Sequence, residues 1–326
     1  MKDIDIIKKI RQLANLDFDY IIENEKCISL SLYSDKYIFG GLIRHLSISE
    51  KSEILNLVSK LLYLEDLNLR KNLLHNIPYS FKNLVNLKNL NLGSNNISDF
   101  PDFILSMEKL ETLFLGCNKI QNLPIEFFNL KNLKSIHFHK NNLHNIPDEF
   151  QEFEKLEVAH FYLSQIKSYP FSIFQCVNLK TISFGFNDFS FIPDEISNLR
   201  NLNYISIIAT NISSIPESIG SLTNLVAMRL FKNKIEFLPS SIGNLVNLEQ
   251  LSIYQNKLKV LPSNFDQLQK LELLNLGDNQ FKIFPHEVSK LESLKWLAYY
   301  DNPSSVPEFL LNEVDIVNSK DQLWRI

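Results

Sequence analysis

The chain has 326 residues, 45% of them hydrophobic, which supplies a core and argues against a disordered tail. A formal charge of −4 at pH 7 leaves no basic excess, so nucleic acid is not an expected partner; phosphate backbones select a clear positive footprint. No stretch approaches about 18 continuous apolar residues, so no membrane-spanning helix is expected either.

The amino terminus, MKDIDIIKKIRQLANLDFDY, alternates charge with Ile and Leu and has no signal-peptide core. Three scattered cysteines, Cys27, Cys117 and Cys176, form neither a C-x-x-C pair nor a disulfide framework, as suits a reducing compartment. A cytoplasmic protein is expected, the alternative being an effector secreted by a signal-independent route. Residues 1–63 read as an N-terminal cap. Ile6, Ile10 and Leu13 recur at helical spacing, and Ile28, Leu30 and Leu32 alternate with Ser29 and Ser31 as in a strand. Ile43, Leu46 and Ile48 read as one degenerate coil ahead of the regular repeats.

From residue 64 to 311 one pattern recurs eleven times. Prolines fall at 78, 101, 124, 147, 170, 193, 216, 239, 262 and 285, each 23 residues after the last. Asparagine keeps the same step from Asn72 to Asn302, interrupted at Ser164 and Thr210. The first copy, Leu64 to Asn86, is LEDLNLRKNLLHNIPYSFKNLVN. Leu67 and Leu69 alternate with Asp66, Asn68 and Arg70, which predicts a short strand with one apolar face. Asn72 has a side-chain amide that can satisfy turn backbone. Pro78 stops the strand, and Phe81 and Leu84, three apart, suit a short helical turn. One coil cannot bury its own apolar face, whereas stacked copies can. Beyond the repeats, residues 312–326 read as a C-terminal cap, with EFLLNEVDIV predicting a capping helix.

The pattern resembles the leucine-rich repeat L-x-x-L-x-L-x-x-N-x-L-x-x-L-P-x-x-F/I-x-x-L, in the 23-residue class of bacterial repeat proteins and Ras-suppressor-like intracellular scaffolds. The resemblance implies an α/β solenoid, a horseshoe with a concave parallel sheet and short helical or irregular convex turns. It also implies a non-enzymatic scaffold for protein–protein interaction, since no kinase, protease or phosphate-loop signature accompanies the repeats. No cofactor is expected.

On a concave face, the third, fifth, seventh and eighth positions of each repeat turn away from the core. In repeats 5 to 9 these positions carry Tyr162, Leu163, Phe186, Ile208, Phe231 and Tyr254, which predict one apolar, aromatic patch. Arg229, Lys232 and Lys140 lie among them, and no Asp or Glu occupies these positions from repeat 2 through repeat 9. The expected partner is a protein whose contact surface is apolar and mildly acidic. His137, His139 and His160, in repeats 4 and 5, extend the surface as solvated imidazoles. The alternative for these histidines is a metal or catalytic site, because three imidazoles from neighbouring strands can converge on zinc. Phe191, Phe237, Val260 and Ile283, at the thirteenth position, read as a second apolar strip along one edge, which would either serve self-association or be partly buried between coils.

Overall fold

The computed structural model describes residues 2–34, 41–144, 146–312 and 314–317. By its contacts the chain divides into two compact units, Met1–Gln165 and Ile166–Ile326. The first opens with helix α1 (Asp3–Ala14), which buries Ile6, Ile7 and Ile10 and places Asp3 and Asp5 at its positive end. Strands β1 (Asp19–Glu23) and β2 (Lys26–Ser31) form an antiparallel hairpin. The alternation expected of Ile28, Leu30 and Leu32 holds for Leu30 and Leu32, which are buried. It fails for Ile28, which is half-buried while Cys27 takes the inward place beside the register shift in the hairpin. Strand β2 also starts the parallel ladder, setting Leu30 opposite Leu67 of β3 (Asp66–Asn68).

The degenerate coil anticipated at Ile43, Leu46 and Ile48 does not form. Ile43 is buried in a turn, whereas Ile48 is 79% exposed and begins helix α2 (Ile48–Val58). The cause is local. The Ser47 hydroxyl accepts a hydrogen bond from Glu50 N–H, and the Glu50 carboxylate accepts one from Ser47 N–H at 2.8 Å. This capping box starts a helix just where the strand pattern would turn Ile48 inward.

The rest of the first unit is a stack of coils. Strands β4 (Asn89–Asn91), β5 (Thr112–Phe114), β6 (Ser135–His137) and β7 (Val158–His160) each pair in parallel with the preceding strand, without a register shift. The second unit repeats the arrangement with β8 (Thr181–Ser183), β9 (Tyr204–Ser206), β10 (Ala227–Arg229), β11 (Gln250–Ser252), β12 (Leu273–Asn275), β13 (Trp296–Ala298) and β14 (Asp315–Val317). Residues 308–317 are not the capping helix their spacing suggested. They make a 3-10 turn, Glu308–Asn312, and then β14, which sets Ile316 opposite Leu297. Adjacent β-branched Ile316 and Val317 favour a strand, and the open edge of β13 offers them a ladder. The remainder of the anticipated C-terminal cap, residues 318–326, lies outside the described residues, as does residue 313.

One circuit serves for all. In repeat 2, Leu90 and Leu92 point inward, Ile97 and Phe100 carry the chain across the core, and Ile104 and Met107 close the coil; all six are buried. Pro101 precedes the 3-10 turn Asp102–Ser106, where a missing N–H costs nothing. The Asn ladder sews neighbouring coils together. Asn95 Nδ2 donates to the carbonyls of Leu69 at 3.0 Å and Leu92 at 2.8 Å. Its Oδ1 accepts from the N–H groups of Asn72 and Leu74, both at 3.0 Å. Ser164 keeps a bond back to the preceding coil, its hydroxyl donating to Phe138 O at 3.1 Å. The Thr210 hydroxyl donates to Asn233 Oδ1 at 2.6 Å. In each unit the result is the solenoid of parallel strands and 3-10 turns that the repeat pattern implies.

Candidate functional site: the strand face opposite the core

The strand in each coil spans only the third to fifth positions, with the fourth buried. Its two flanking side chains therefore face away from the core. The eighth position is not strand, contrary to the reading from alternation. In all eleven repeats it is left-handed, with φ between 50° and 59°, from Lys71 to Asp301. Non-glycine residues occupy this region at a cost of roughly 1 kcal/mol. The turn thereby projects Leu163, Phe186 and Lys232 outward, and all three are exposed. Since asparagine tolerates left-handed backbone better than phenylalanine, Phe186→Asn should unfold at the same or a higher urea concentration, within about 1 kcal/mol. The same change removes the exposed ring, so partner affinity should fall while the denaturation midpoint does not.

In the first unit, aromatic rings and imidazoles stack along two columns. On the fifth position, Phe114 lies 4.0 Å from His137, and His137 lies 4.8 Å from His160, each pair within 17° of parallel. On the seventh, His139 stacks on Tyr162 at 4.8 Å and 3°. Gly116 makes room for this second column, since a Cβ there would lie 2.4 Å from His139 Cε1. The Ser135 hydroxyl is 2.8 Å from His137 Nε2. Leu163 follows Tyr162 in the turn and is 39% exposed.

This packing changes the chemistry expected of the histidines. They are half-buried, not solvated. Burial first, then the charges that His160 and His139 would carry, pulls His137 down to about 3. Burial, then His160, Lys140 and Arg70, pulls His139 down to about 4, and burial lowers His160. All three are therefore neutral rings at ordinary pH. Face-to-face stacking also directs the ring lone pairs of His137 and His160 into parallel planes, not toward one point. Among the described residues no group of three His, Cys, Asp or Glu side chains is placed to hold a metal ion.

In the second unit, Ile208 lies across Gly185, where a Cβ would meet Ile208 Cγ1 at 2.4 Å. Phe186 N–H donates to Ile208 O. Phe231 and Tyr254 stack at 4.5 Å and 13°, and burial raises the Tyr254 phenol. The Arg229 guanidinium lies 5.5 Å above the Tyr204 ring, within cation–π range. Arg229, Phe231, Gln250, Ser252, Tyr254, Leu273 and Trp296 line a recess of about 200 Å³. Toward the end of the unit this face closes. Trp296, Ala298, Tyr300 and Val317 form a buried apolar cluster with Leu273 against it.

Reading columns at the seventh and eighth positions found His139, Tyr162, Phe231 and Tyr254 but passed over Phe114 and Tyr204. The fifth-position run Phe114, His137, His160 carries the missing signal. The role of Gly116 was also missed, although a glycine directly before a histidine in one column is the mark of a floor for its ring. Cys176 is buried and its thiol is pushed up to about 12, as suits a core residue. Cys117 is half-exposed.

Family models match two stretches of the chain, "Leucine-rich repeat region" over residues 171–257 and "Leucine rich repeat" over 108–165. No curated protein matches it in sequence. Among solved structures, a leucine-rich-repeat protein of Leptospira interrogans superposes with a TM-score of 0.74 at 28% identity, covering 83% of this chain and 81% of that one. An internalin of Listeria monocytogenes gives 0.72 at 24% identity, over 91% of this chain and 82% of that one, a likeness of fold. The plant peptide hormone receptor RGFR1, solved in complex with RGF2, gives 0.69 at 26% identity and covers 80% of this chain but only 48% of the receptor. The 23-residue ladder of Pro and Asn, the parallel coils it builds and these likenesses agree: the chain is a leucine-rich-repeat protein.

Proposed function

We propose that the chain is a non-enzymatic scaffold that captures a protein partner on the coreward-opposed positions of repeats 4–9. The observation that carries this reading is the acid-free array of rings on those positions. His137 and His160, stacked on Phe114 of repeat 3, lie in one unit, and stacked Phe231 and Tyr254 beside Arg229 in the other. Flat, preordered rings lose little side-chain entropy on binding and dominate interface energetics. Neutral imidazoles fit this role better than charged ones, because a partner can cover them without burying a charge. The plant peptide hormone receptor RGFR1, similar to this chain in fold, is solved in complex with RGF2, which supports recognition as a use of the fold.

The partner contributes apolar side chains and a few carboxylates. Arg229, Lys232 and Lys140 supply the positive charge, and membrane and nucleic acid are not proposed as partners. Cys27 and Cys176 are buried free thiols, which suits a reducing compartment such as the cytoplasm. The partner recovered by the wild-type chain should bind Arg229→Glu/Lys232→Glu at least about tenfold more weakly, mostly through slower association. Surface plasmon resonance at two salt concentrations measures this. Equal affinity and equal salt dependence would leave the charged part of the proposal without support.

A further inference from the structure

The thirteenth position of each repeat lies on one edge of the coils, two residues before the proline that opens the 3-10 turn. In three consecutive repeats of the second unit it carries Phe237, Val260 and Ile283, which are 59%, 59% and 82% exposed. Their chain neighbours Leu238 and Leu261 are buried, so alternation drives the thirteenth side chains outward. Backbone bonds keep these coils in register: Lys257 N–H donates to Ile235 O at 2.9 Å and Gln280 N–H to Leu258 O at 2.8 Å. The three side chains thus form a row, and a recess lined by Val260, Leu261, Ile283 and Pro285 opens beside it. A contiguous apolar row of this kind marks an interface.

The charges beside the row select its occupant. At the twelfth position the same repeats carry Glu236, Lys259 and Lys282, an acid at one end and a base at the other. A two-fold axis lying across the row at Val260 would bring Phe237 onto Ile283 of a second copy and Val260 onto its own equivalent. The same axis would bring Glu236 onto Lys282 of that copy, twice over. The lysines of the central repeat, Lys257 and Lys259, would each meet their own equivalent. Glu236 has a loose neighbour within its own chain, Lys257 at 3.8 Å, and remains exposed enough to turn outward. Self-complementarity of both shape and charge is what an isologous interface requires. We infer that this edge joins two copies of the chain antiparallel, through Phe237, Val260 and Ile283 flanked by the Glu236–Lys282 pairs. The inference is independent of the proposed partner surface, which lies across the coil at the third to eighth positions.

The test is sedimentation equilibrium on the full chain. Wild type should show a concentration-dependent dimer that Ile283→Asp abolishes. Glu236→Lys and Lys282→Glu should each weaken it by about tenfold, since each reverses two pairs. Mixed together, those two variants should form a heterodimer, because every cross pair is then attractive, and the double variant should regain the wild-type constant. These charge variants are exposed and leave the core intact. Lys259→Gln should tighten the dimer. A wild-type chain that stays monomeric, or variants that fail to rescue each other on mixing, would overturn the inference.

Discussion

Lowering the pH from 7 to 4.5 should destabilise the chain by about 2–3 kcal/mol through His137 alone. The unfolded imidazole titrates at its ordinary value of 6.5, whereas the stacked one is held down to about 3. Between those values the unfolded chain binds more protons than the folded one, so stability rises with pH there and falls as the solution is acidified. The contribution is complete above 6.5 and is lost progressively toward 3. His139, lowered to about 4, adds in the same direction, with a smaller share because solvent screens it. Urea denaturation at the two pH values measures the loss. His137→Phe keeps the stack on Phe114 and His160 without a titrating ring and gives up the bond to Ser135. It should therefore begin less stable at pH 7 and lose markedly less on acidification. An identical loss in the two proteins would show that the imidazole is already solvated in the fold.

Replacing Asn118 by Leu should cost about 2–3 kcal/mol, because Ile97 N–H is left buried and unpaired, while the carbonyls of Leu92 and Leu115 keep only their bonds from Asn95 and Asn141. Asn118 Nδ2 donates to the carbonyls of Leu92 at 3.0 Å and Leu115 at 2.9 Å, and Oδ1 accepts from Ile97 N–H at 3.1 Å. All three groups belong to backbone that no water reaches, and two of them lie in the neighbouring coil. The half-buried Asn132 provides the contrast. It donates to Glu108 O at 2.8 Å and accepts from Lys155 Nζ at 2.7 Å, both at the solvent surface, and Asn132→Ala should cost below about 1 kcal/mol. Because stability in a repeat array is a sum over coils and their interfaces, the Asn118 defect should be local. Hydrogen exchange should quicken first in repeats 2 and 3. Uniform acceleration through both units would instead show that the coils unfold as one body.

The fold was readable because its constraints are local and repeat. Pro78 and Asn72 act within their own coil and its neighbour, so their spacing carries the geometry directly. The ends were harder, because apolar spacing alone does not separate a strand from a helix. Ile43, Leu46 and Ile48 fit a strand until Ser47 and Glu50 are recognised as a capping pair. Leu310 to Val317 fit a helix until the two β-branched residues at the open sheet edge are weighed. Of the candidate site, the identity of the outward residues was readable, because register places equivalent positions side by side. The state of the histidines was not. Whether His137 is solvated, coordinating or neutral depends on Phe114 lying against one face and His160 against the other. The left-handed eighth position also left no mark, since Leu163, Phe186 and Ala209 are not residues that favour it.

Site-specific photo-crosslinking tests the partner-binding surface most directly. A photoreactive phenylalanine analogue replaces Tyr254, which lines the recess, or Val246, which is 49% exposed just past the 3-10 turn of its coil. The account predicts that the captured partner is joined to the chain from position 254 and not from position 246. Crosslinking from 246 with none from 254 would contradict it.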